Sequence, residues 1–280
     1  MKVTKGSSSM IKWAAQAFTR SKNIHIVNAY WHDKVPNFGD LLNPIILKYY
    51  GLLAYHSVPQ SADLVALGSV LHLFQEDYSG FIVGSGLLAK KDKKFPSARI
   101  LAVRGRLTQE CIGAEDNTTL GDPGLLVPFL FQKPKRKNYT LGIVPHYVDK
   151  SDKRIERLHS RFPRHIHIID VKRKPSWVVN QIAQCEFILS SSLHGLITAD
   201  AYGIPNAWIH LSDNVLGEGF KFYDYASAFD TSIIQKQISG KEKLQALLDL
   251  TESRVKNLSV IQSNLDNVFK IMAQEVCDNG

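Results

Sequence analysis

The sequence predicts an α/β fold that consists of two doubly wound halves, each a parallel sheet flanked by helices. Short β-rich apolar runs alternate with segments of helical periodicity along most of the chain. Several of these runs lead into turns that contain Gly or Ser, where a strand would end. Residues 131–138 interrupt the pattern with a basic, proline-containing linker, so we predict domains at residues 1–132 and 133–280.

The apolar and helical patterns place the elements in chain order. The first half is predicted to contain strands at residues 24–30, 64–67, 81–83 and 99–103, and a helix at 41–50 that Gly51 ends. The second half is predicted to contain strands at 139–144, 165–171, 187–190 and 206–211, alternating with helices at 151–162, 176–184 and 196–202. We expect Ser176 to cap its helix. Residues 241–276 predict one or two amphipathic helices.

Charge and composition limit the classes of function. Lys and Arg number 34 against 26 Asp and Glu, which gives a net charge of +8 and favours an anionic ligand or surface. A hydrophobic content of 44% excludes a mostly disordered chain. The three cysteines are far apart, so neither a disulfide framework nor a zinc site is predicted, and a reducing cytoplasm fits.

The N-terminal segment at residues 10–22 interleaves apolar and basic side chains. It is typical either of a basic amphipathic helix that lies on a bilayer or of a helix packed on the protein's own core. The sequence shows no signal peptide and no window near the roughly 18 apolar residues that a spanning helix needs.

Ligands of open α/β sheets bind beyond the carboxyl ends of the strands, so the loops there hold the candidate site residues. The loop Ser190–Gly195 (SSSLHG) precedes a predicted helix, where hydroxyls and free backbone N–H groups would form an anion cradle. Gly195 would permit close approach and His194 would exchange a proton near neutral pH. The alternative is a serine-rich helix cap with a merely hydrogen-bonded histidine.

Two further loops carry polar groups in the first half. In the segment Asn37–Asp40 (NFGD), we expect a left-handed turn at Asn37, a bend at Gly39 and either an N-cap or a proton acceptor at Asp40. Arg104 and Arg106 flank a glycine at the end of a strand, which suits a bidentate grip on phosphate or carboxylate. A surface ion pair is the alternative.

Weaker signals complete the set. Gly84-Ser85-Gly86 lacks the third glycine of a dinucleotide fingerprint, and His146 follows the first strand of the second half. The sequence contains no Asp-x-Asp pair, Walker loop, His-Glu-x-x-His signature or Gly-x-Ser-x-Gly elbow. Metal-dependent sugar-nucleotide clamps, P-loop chemistry and a nucleophile elbow are therefore not indicated.

Taken together and in this order, these segments resemble the polysaccharide pyruvyl transferase family over roughly residues 24–210. The motifs that carry the resemblance are NFGD at 37–40, GSG at 84–86, VRGRLT at 103–108, GDPGLL at 121–126, PHY at 145–147, SSSLHGL at 190–196 and DAYGIP at 200–205. Each motif is short, and the ordered set is specific.

The resemblance implies two Rossmann-like domains in a GT-B-like arrangement, with the active site in the cleft between them. It implies transfer of pyruvate from phosphoenolpyruvate to a hexose of an exopolysaccharide or capsule repeat unit, forming a cyclic ketal, typically 4,6-linked. Phosphate is released, and no tightly bound cofactor is expected. The implied acceptor is lipid-linked and made at the inner face of the plasma membrane, where this cytoplasmic protein would contact anionic lipid peripherally.

By family position, Arg104 and His194 match residues that engage phosphoenolpyruvate, and Asp40 matches an acidic cleft residue. Many members carry Arg where this chain has Ser192, so Arg106 or a lysine would supply the second cation. Our hypothesis makes His194 the general acid or acid/base, with Arg104 on the anion and Asp40 on the attacking hydroxyl. The expected substrate-binding residues are Asn37, Gly39, Ser85, Gly86, Arg106, His146, Ser190, Ser191, Ser192 and Gly195.

Two alternatives remain from the sequence. A GT-B glycosyltransferase that uses a nucleotide sugar would share the expected architecture. A basic protein that binds nucleic acid or another polyanion would explain the charge, but the chain has no helix-turn-helix or RNA-recognition signature. We therefore expect no nucleic-acid partner.

Overall fold

Alternating strands and helices build two separate parallel sheets in the computed structural model, which describes residues 25–278. The strands are β1 (His25–Tyr30), β2 (Leu52–His56), β3 (Leu64–Val65), β4 (Phe81–Val83), β5 (Arg99–Val103), β6 (Thr119–Leu120), β7 (Tyr139–Val144), β8 (Ile166–Ile168), β9 (Cys185–Ser190), β10 (Asn206–His210) and β11 (Lys236–Gln237). The helices are α1 (Asn43–Tyr49), α2 (Arg106–Ile112), α3 (Val127–Leu130), α4 (Lys153–Arg161), α5 (Pro175–Ala183), α6 (Leu193–Ala201), α7 (Phe220–Ser227), α8 (Leu244–Leu248) and α9 (Leu258–Asp278).

The strand order of both sheets is doubly wound. The first sheet has the order β2-β1-β3-β4-β5-β6 and the second has β11-β10-β9-β7-β8, with parallel pairing throughout. Each order matches the flavodoxin type rather than the Rossmann order 3-2-1-4-5-6. The order therefore reverses between β1 and β3 in the first sheet and between β7 and β9 in the second, and ligands are expected at these two points.

The predicted α/β class and the eight predicted strands are confirmed, with boundaries that shift by a few residues. The edge strands β2, β6 and β11 were not predicted from the sequence. β6 and β11 are only two residues long and lack an apolar run, whereas β2 (LLAYH) carries one that directly follows the first helix. The helix predicted at 196–202 begins three residues earlier, at Leu193. The prediction that Ser176 caps α5 is wrong, because the helix already begins at Pro175 and Lys174 occupies the cap position.

Helix α6 packs between the two halves of the chain. Eight of its nine residues are buried, and it contacts both β9 and the short 3₁₀ helix Pro123–Leu126 of the first half. A helix that is buried on nearly every side requires this kind of central position. One hydrophobic cluster accordingly includes Leu67 and Leu125 of the first half together with Ile197 and Val144 of the second.

The C-terminal helix α9 crosses back to the first half. It packs on β4, β5 and β6, and its Gln262 donates a hydrogen bond to the carbonyl of Leu125 (2.8 Å). Arg99 at the start of β5 forms an ion pair with Glu275 near the end of the helix (2.9 Å). The proposed domain boundary at residue 132 stays a prediction, and the first sheet is covered in part by residues from beyond it.

Among residues 25–278, no helix is long and apolar enough to cross a bilayer. The segment at residues 10–22 lies outside the described residues.

Candidate active site

A cavity of about 690 Å³ lies where the two sheets present their points of strand-order reversal, and we name it the central cavity. The loops after β1 and β3 supply Asn37, Asp40 and Ser69 from the first half. The second half supplies His146 after β7, and Ser192 and His194 at the junction of β9 and α6. Parallel doubly wound sheets place their binding loops at these positions, so the fold itself brings the motifs together.

The turn before α1 is held by Asn37. Its side-chain oxygen accepts a hydrogen bond from the backbone N–H of Gly39 (3.0 Å), and its amide donates to the carboxylate of Asp40. The predicted left-handed turn at Asn37 is wrong, because its φ is not positive. The predicted N-cap at Asp40 is also wrong, because Gly39 occupies the cap position and Asp40 starts a short 3₁₀ helix.

Asp40 is buried in the wall of the central cavity, with 7% of its surface exposed. Burial raises the pKa of its carboxyl to about 7, while the hydrogen bond from Asn37 and the charge of Lys221 act in the opposite direction. His32 Nδ1 lies 4.0 Å from the same carboxylate. Asp40 therefore exists in both protonation states near neutral pH, as a general acid or base requires.

His194 lies in the first turn of α6, with its imidazole against the backbone of Gly39. A Cβ on Gly39 would lie 2.7 Å from Cε1 of the ring and nearer still to Nδ1. Gly39 has an ordinary helical φ of −60°, so this contact, and not the expected bend, requires a glycine there. Phe38 packs edge-on against the same ring, with centroids 6.3 Å apart.

The other nitrogen of His194, Nε2, is buried and has no hydrogen-bond partner among the described residues. Burial lowers the pKa of this imidazole to about 3, and the positive charges of Lys221 and Arg104 act in the same direction. His194 is consequently neutral at pH 7 in the unliganded protein. A buried nitrogen left without a partner is a position where a ligand group can donate or accept a hydrogen bond.

The three serines of the SSSLHG loop have different roles. Ser190 Oγ accepts a hydrogen bond from the backbone N–H of Ser192 (3.0 Å), and Ser191 Oγ donates to Asp149 (2.6 Å). Ser191 Oγ also accepts from the backbone N–H of His146 (2.9 Å). Of the three hydroxyls predicted to form an anion cradle, only that of Ser192 lines the central cavity, and the other two hold the loop.

Gly195 and His146 complete this side of the central cavity. A Cβ on Gly195 would overlap Ser190 Oγ and meet Val144 at 2.9 Å, so the close approach is to the protein's own strand and not to a ligand. His146 lines the central cavity as expected. Burial and the charge of Lys221 lower the pKa of its imidazole to about 4, so His146 is also neutral at pH 7.

Arg104 is fully buried and does not line the central cavity, which corrects its predicted place on the donor. Its guanidinium donates to the carboxylate of Asp224 (2.8 Å), the carbonyl of Leu87 (2.6 Å) and the hydroxyl of Ser69 (2.5 Å). A Cβ on Gly86 would lie 2.5 Å from Arg104 Cζ, so Gly86 makes room for the guanidinium and not for substrate. Arg104 reaches the central cavity only through Ser69 and through its charge.

Two other predicted binding residues also lie away from the central cavity. Arg106 pairs with Asp230 (3.0 Å) at the surface, where the two side chains are 50% and 82% exposed. The hydroxyl of Ser85 is buried and donates to the carbonyl of Gly68 (2.9 Å). For Arg106 the surface ion pair weighed from the sequence is confirmed, and this side chain does not line the central cavity.

Lys221, at the start of α7, is the site residue that sequence reasoning missed. It lines the central cavity. Within residues 25–278, Lys34 is the second lysine of that lining, and no arginine belongs to it. Burial and the charge of Arg104 lower the pKa of Lys221 to about 8, while Asp40 and Asp149 act to raise it. The segment around Lys221 contains no recognisable motif, and only the fold brings α7 to the central cavity.

Comparisons with known proteins show which proteins the chain resembles. A curated protein of Acanthamoeba polyphaga mimivirus is 36% identical over 158 residues, 53% of this chain and 54% of that protein. The chain thus spans about half the length of this relative. The succinoglycan biosynthesis protein ExoV of Rhizobium meliloti (strain 1021) is 28% identical over 232 residues, 78% of this chain and 70% of ExoV.

Among solved structures, one of the wall teichoic acid polymerase TagF aligns with 91% of this chain and 90% of its own, at 10% identity and a TM-score of 0.47. A sequence model described as polysaccharide pyruvyl transferase matches residues 9–212, well over half of the chain. The chain therefore belongs to the polysaccharide pyruvyl transferase family.

Proposed function

We propose that the protein transfers pyruvate from phosphoenolpyruvate to a hexose of an exopolysaccharide or capsule repeat unit, as a cyclic 4,6-linked ketal, with release of phosphate. The observation that carries the proposal is the joint presence of Lys221, Asp40 and His194 in the central cavity. These groups provide a cation, a carboxyl whose pKa is about 7 and a neutral imidazole with a free buried nitrogen. We assign to the protein a GT-B-like arrangement, with the active site in a cleft between two domains.

Donor binding is the first step of this proposal. Phosphoenolpyruvate carries a carboxylate and a phosphate, and Lys221 is the buried cation that faces them. The first turn of α6 offers backbone N–H groups and the positive end of its dipole beside Ser192. An anion bound here raises the pKa of His194, because it offsets the positive charges of Lys221 and Arg104 that lower it.

Proton transfer follows from the protonation states. The protonated Asp40 carboxyl gives its proton to C3 of the enol, and C2 becomes an oxocarbenium centre. The first acceptor hydroxyl bonds to C2 as its proton passes to His194 Nε2. His194 gives this proton to the phosphate as the C2–phosphate oxygen bond breaks, and the second hydroxyl closes the ketal while its proton returns to the Asp40 carboxylate. One vinyl group and two hydroxyls thus yield one ketal and one phosphate. This reverses the roles of His194 and Asp40 in our sequence-based hypothesis, because a pKa of about 3 does not suit a general acid.

The acceptor is proposed to be a lipid-linked oligosaccharide at the inner face of the plasma membrane. ExoV, a relative by sequence, is named for succinoglycan biosynthesis, which supports a polysaccharide acceptor. The net charge of +8 supports peripheral contact of a cytoplasmic protein with anionic lipid. The basic and apolar residues at 10–22 would contribute to that contact.

The test measures phosphate release from phosphoenolpyruvate with a panel of galactosides, glucosides and mannosides, and the masses of the products. We expect one sugar to gain the mass of pyruvate less water. Replacement of His194 by Ala should lower turnover by about 10²–10⁴-fold if it transfers a proton. A rise in melting temperature with a nucleotide sugar and none with phosphoenolpyruvate would refute the proposal in favour of a glycosyltransferase.

A further inference from the structure

A second cavity of about 500 Å³ opens beside the central cavity, between β10 and the loop that leads into α7. We name it the side cavity. Its lining includes the buried carboxylate of Asp149, the aromatic rings of Trp208 and Tyr223, and the side-chain amide of Gln235. Leu216, which is 69% exposed, lines both cavities, so a ligand can extend from one into the other across this residue.

The partition between the two cavities is thin. Ser191 lines the side cavity and His146 lines the central cavity. Ser191 Oγ accepts the backbone N–H of His146 (2.9 Å) and donates to Asp149 (2.6 Å). The two spaces are therefore neighbours that a single extended molecule can occupy together.

The two cavities differ in charge. Two lysines and four histidines line the central cavity. Within residues 25–278, no lysine or arginine lines the side cavity. The side cavity instead carries the carboxylates of Asp149, Asp213 and Glu218. Asp149 already accepts hydroxyls of the protein, from Ser191 and Ser212, and Asp213 lies 3.0 Å from His210 Nε2. In a protein with a net charge of +8, this local acidity disfavours an anionic donor and favours hydroxyl groups, which donate to carboxylates.

The aromatic groups point to the ligand class. Tyr223 is 45% exposed, and its ring packs edge-on against Trp208, which is itself stacked on Phe222 with centroids 4.1 Å apart. A rigid aromatic cluster beside carboxylates and an amide offers apolar area for ring C–H groups and acceptors for hydroxyls. A neutral saccharide combines both features, since it carries ring C–H groups and hydroxyls on one molecule.

We infer that the side cavity binds the sugar residue next to the one that receives pyruvate, so that a saccharide acceptor lies across Leu216. The inference rests on the proposed function for the identity of the central cavity's ligand. Recognition of a second sugar would make the protein select an oligosaccharide over a free monosaccharide.

The experiment compares binding of a neutral tetrasaccharide of glucose and galactose with that of the matching methyl glycosides, by calorimetry and saturation-transfer NMR without phosphoenolpyruvate. We expect the wild-type protein to bind the tetrasaccharide at least about tenfold more tightly. Tyr223→Ala and Gln235→Ala should each remove most of this difference, with loss of saturation transfer to one sugar residue. Tyr49→Ala, on the exposed face of α1, is the matched control and should retain the difference.

Equal affinity of the wild type for the tetrasaccharide and the methyl glycosides overturns the inference. The same holds if both variants fold, by thermal unfolding, and keep the preference. Failure of the proposed function looks different, because the preference for the tetrasaccharide would then persist without any phosphate release.

Discussion

Gly39 and His194 are in direct contact across the two halves of the chain, with the imidazole ring against the glycine backbone. The contact fixes the ring in the lining of the central cavity, with its buried Nε2 left without a hydrogen-bond partner among the described residues. Two motifs separated by more than 150 residues of sequence thus form one side of the site.

Replacement of Gly39 by Ala should displace the His194 ring, because a Cβ has no space there. We expect a loss of about 1–3 kcal/mol in the free energy of unfolding, typical of overpacking, and a large fall in kcat. In a His194→Ala background the same change should cost much less, as a double-mutant cycle would show. Gly203→Ala, where a Cβ meets no atom within 4 Å but φ is +66°, controls for backbone strain alone. Equal costs of Gly39→Ala in both backgrounds would contradict the contact.

The activity should fall above pH 7, since Asp40 must be protonated to act as the acid and its pKa is about 7. Asp40→Asn keeps the shape and the contact with Asn37 but cannot transfer a proton. We expect kcat to fall by about 10²–10⁴-fold and the alkaline limb of the kcat/KM profile to disappear. Retention of that limb in Asp40→Asn would assign it to another group.

The same substitution should change stability in a pH-dependent way. The folded pKa of Asp40, about 7, is above the ordinary value of 3.8, so the folded state binds its proton more tightly. Stability from this group is therefore full below pH 3.8 and is lost as the pH rises to 7. Asp40→Asn should gain relative to wild type across this window, by up to about 4 kcal/mol, in urea unfolding at pH 5 and pH 8.

Removal of the Lys221 charge should weaken donor binding. We expect Lys221→Ala to raise the KM for phosphoenolpyruvate by about 10–100-fold, the range for a lost hydrogen bond to a charged group. It should also move the alkaline limb to higher pH, because Lys221 lowers the pKa of Asp40. Lys48→Ala, at an exposed position of α1, should change neither property. An alkaline limb at the wild-type pH in Lys221→Ala would show that the charge of Lys221 does not affect the pKa of Asp40.

Arg104 and Arg106 should behave oppositely despite their shared motif. Arg104→Ala leaves Asp224 buried and unpaired, so we expect a loss of about 3–5 kcal/mol in the free energy of unfolding. Arg106→Ala removes an exposed pair and should change stability by less than about 1 kcal/mol. A stable Arg104→Ala protein whose sole defect is a raised KM for phosphoenolpyruvate would restore Arg104 as a donor ligand.

The sequence was sufficient for the fold class and for the central strands, because their apolar runs are continuous. It also identified Asp40, His146, Ser192 and His194 as residues of the central cavity, since each follows a strand at a point of order reversal. It could not tell which polar groups face inward. Arg104 follows β5 and Ser190 ends β9, yet neighbouring carboxylate and backbone groups already use their hydrogen bonds.

Lys221 shows the opposite limit of sequence reasoning. Its position depends on the packing of α7 against α2 and on the buried Arg104–Asp224 pair, whose residues are 120 positions apart in the sequence. The local pattern of charge and hydrophobicity around residue 221 does not predict that contact. The match to the family also ends at residue 212, before this lysine.

The return of α9 to the first sheet has a consequence for engineering new specificities by exchange of parts. A chimera joined only at the linker would receive a first sheet whose β4, β5 and β6 face an α9 from a different parent. Gly121 illustrates the mismatch, since even one added Cβ there would press on Leu265 at 3.0 Å. A stable chimera therefore needs two junctions, one in the linker and one before Leu258, so that the first sheet and α9 come from the same parent.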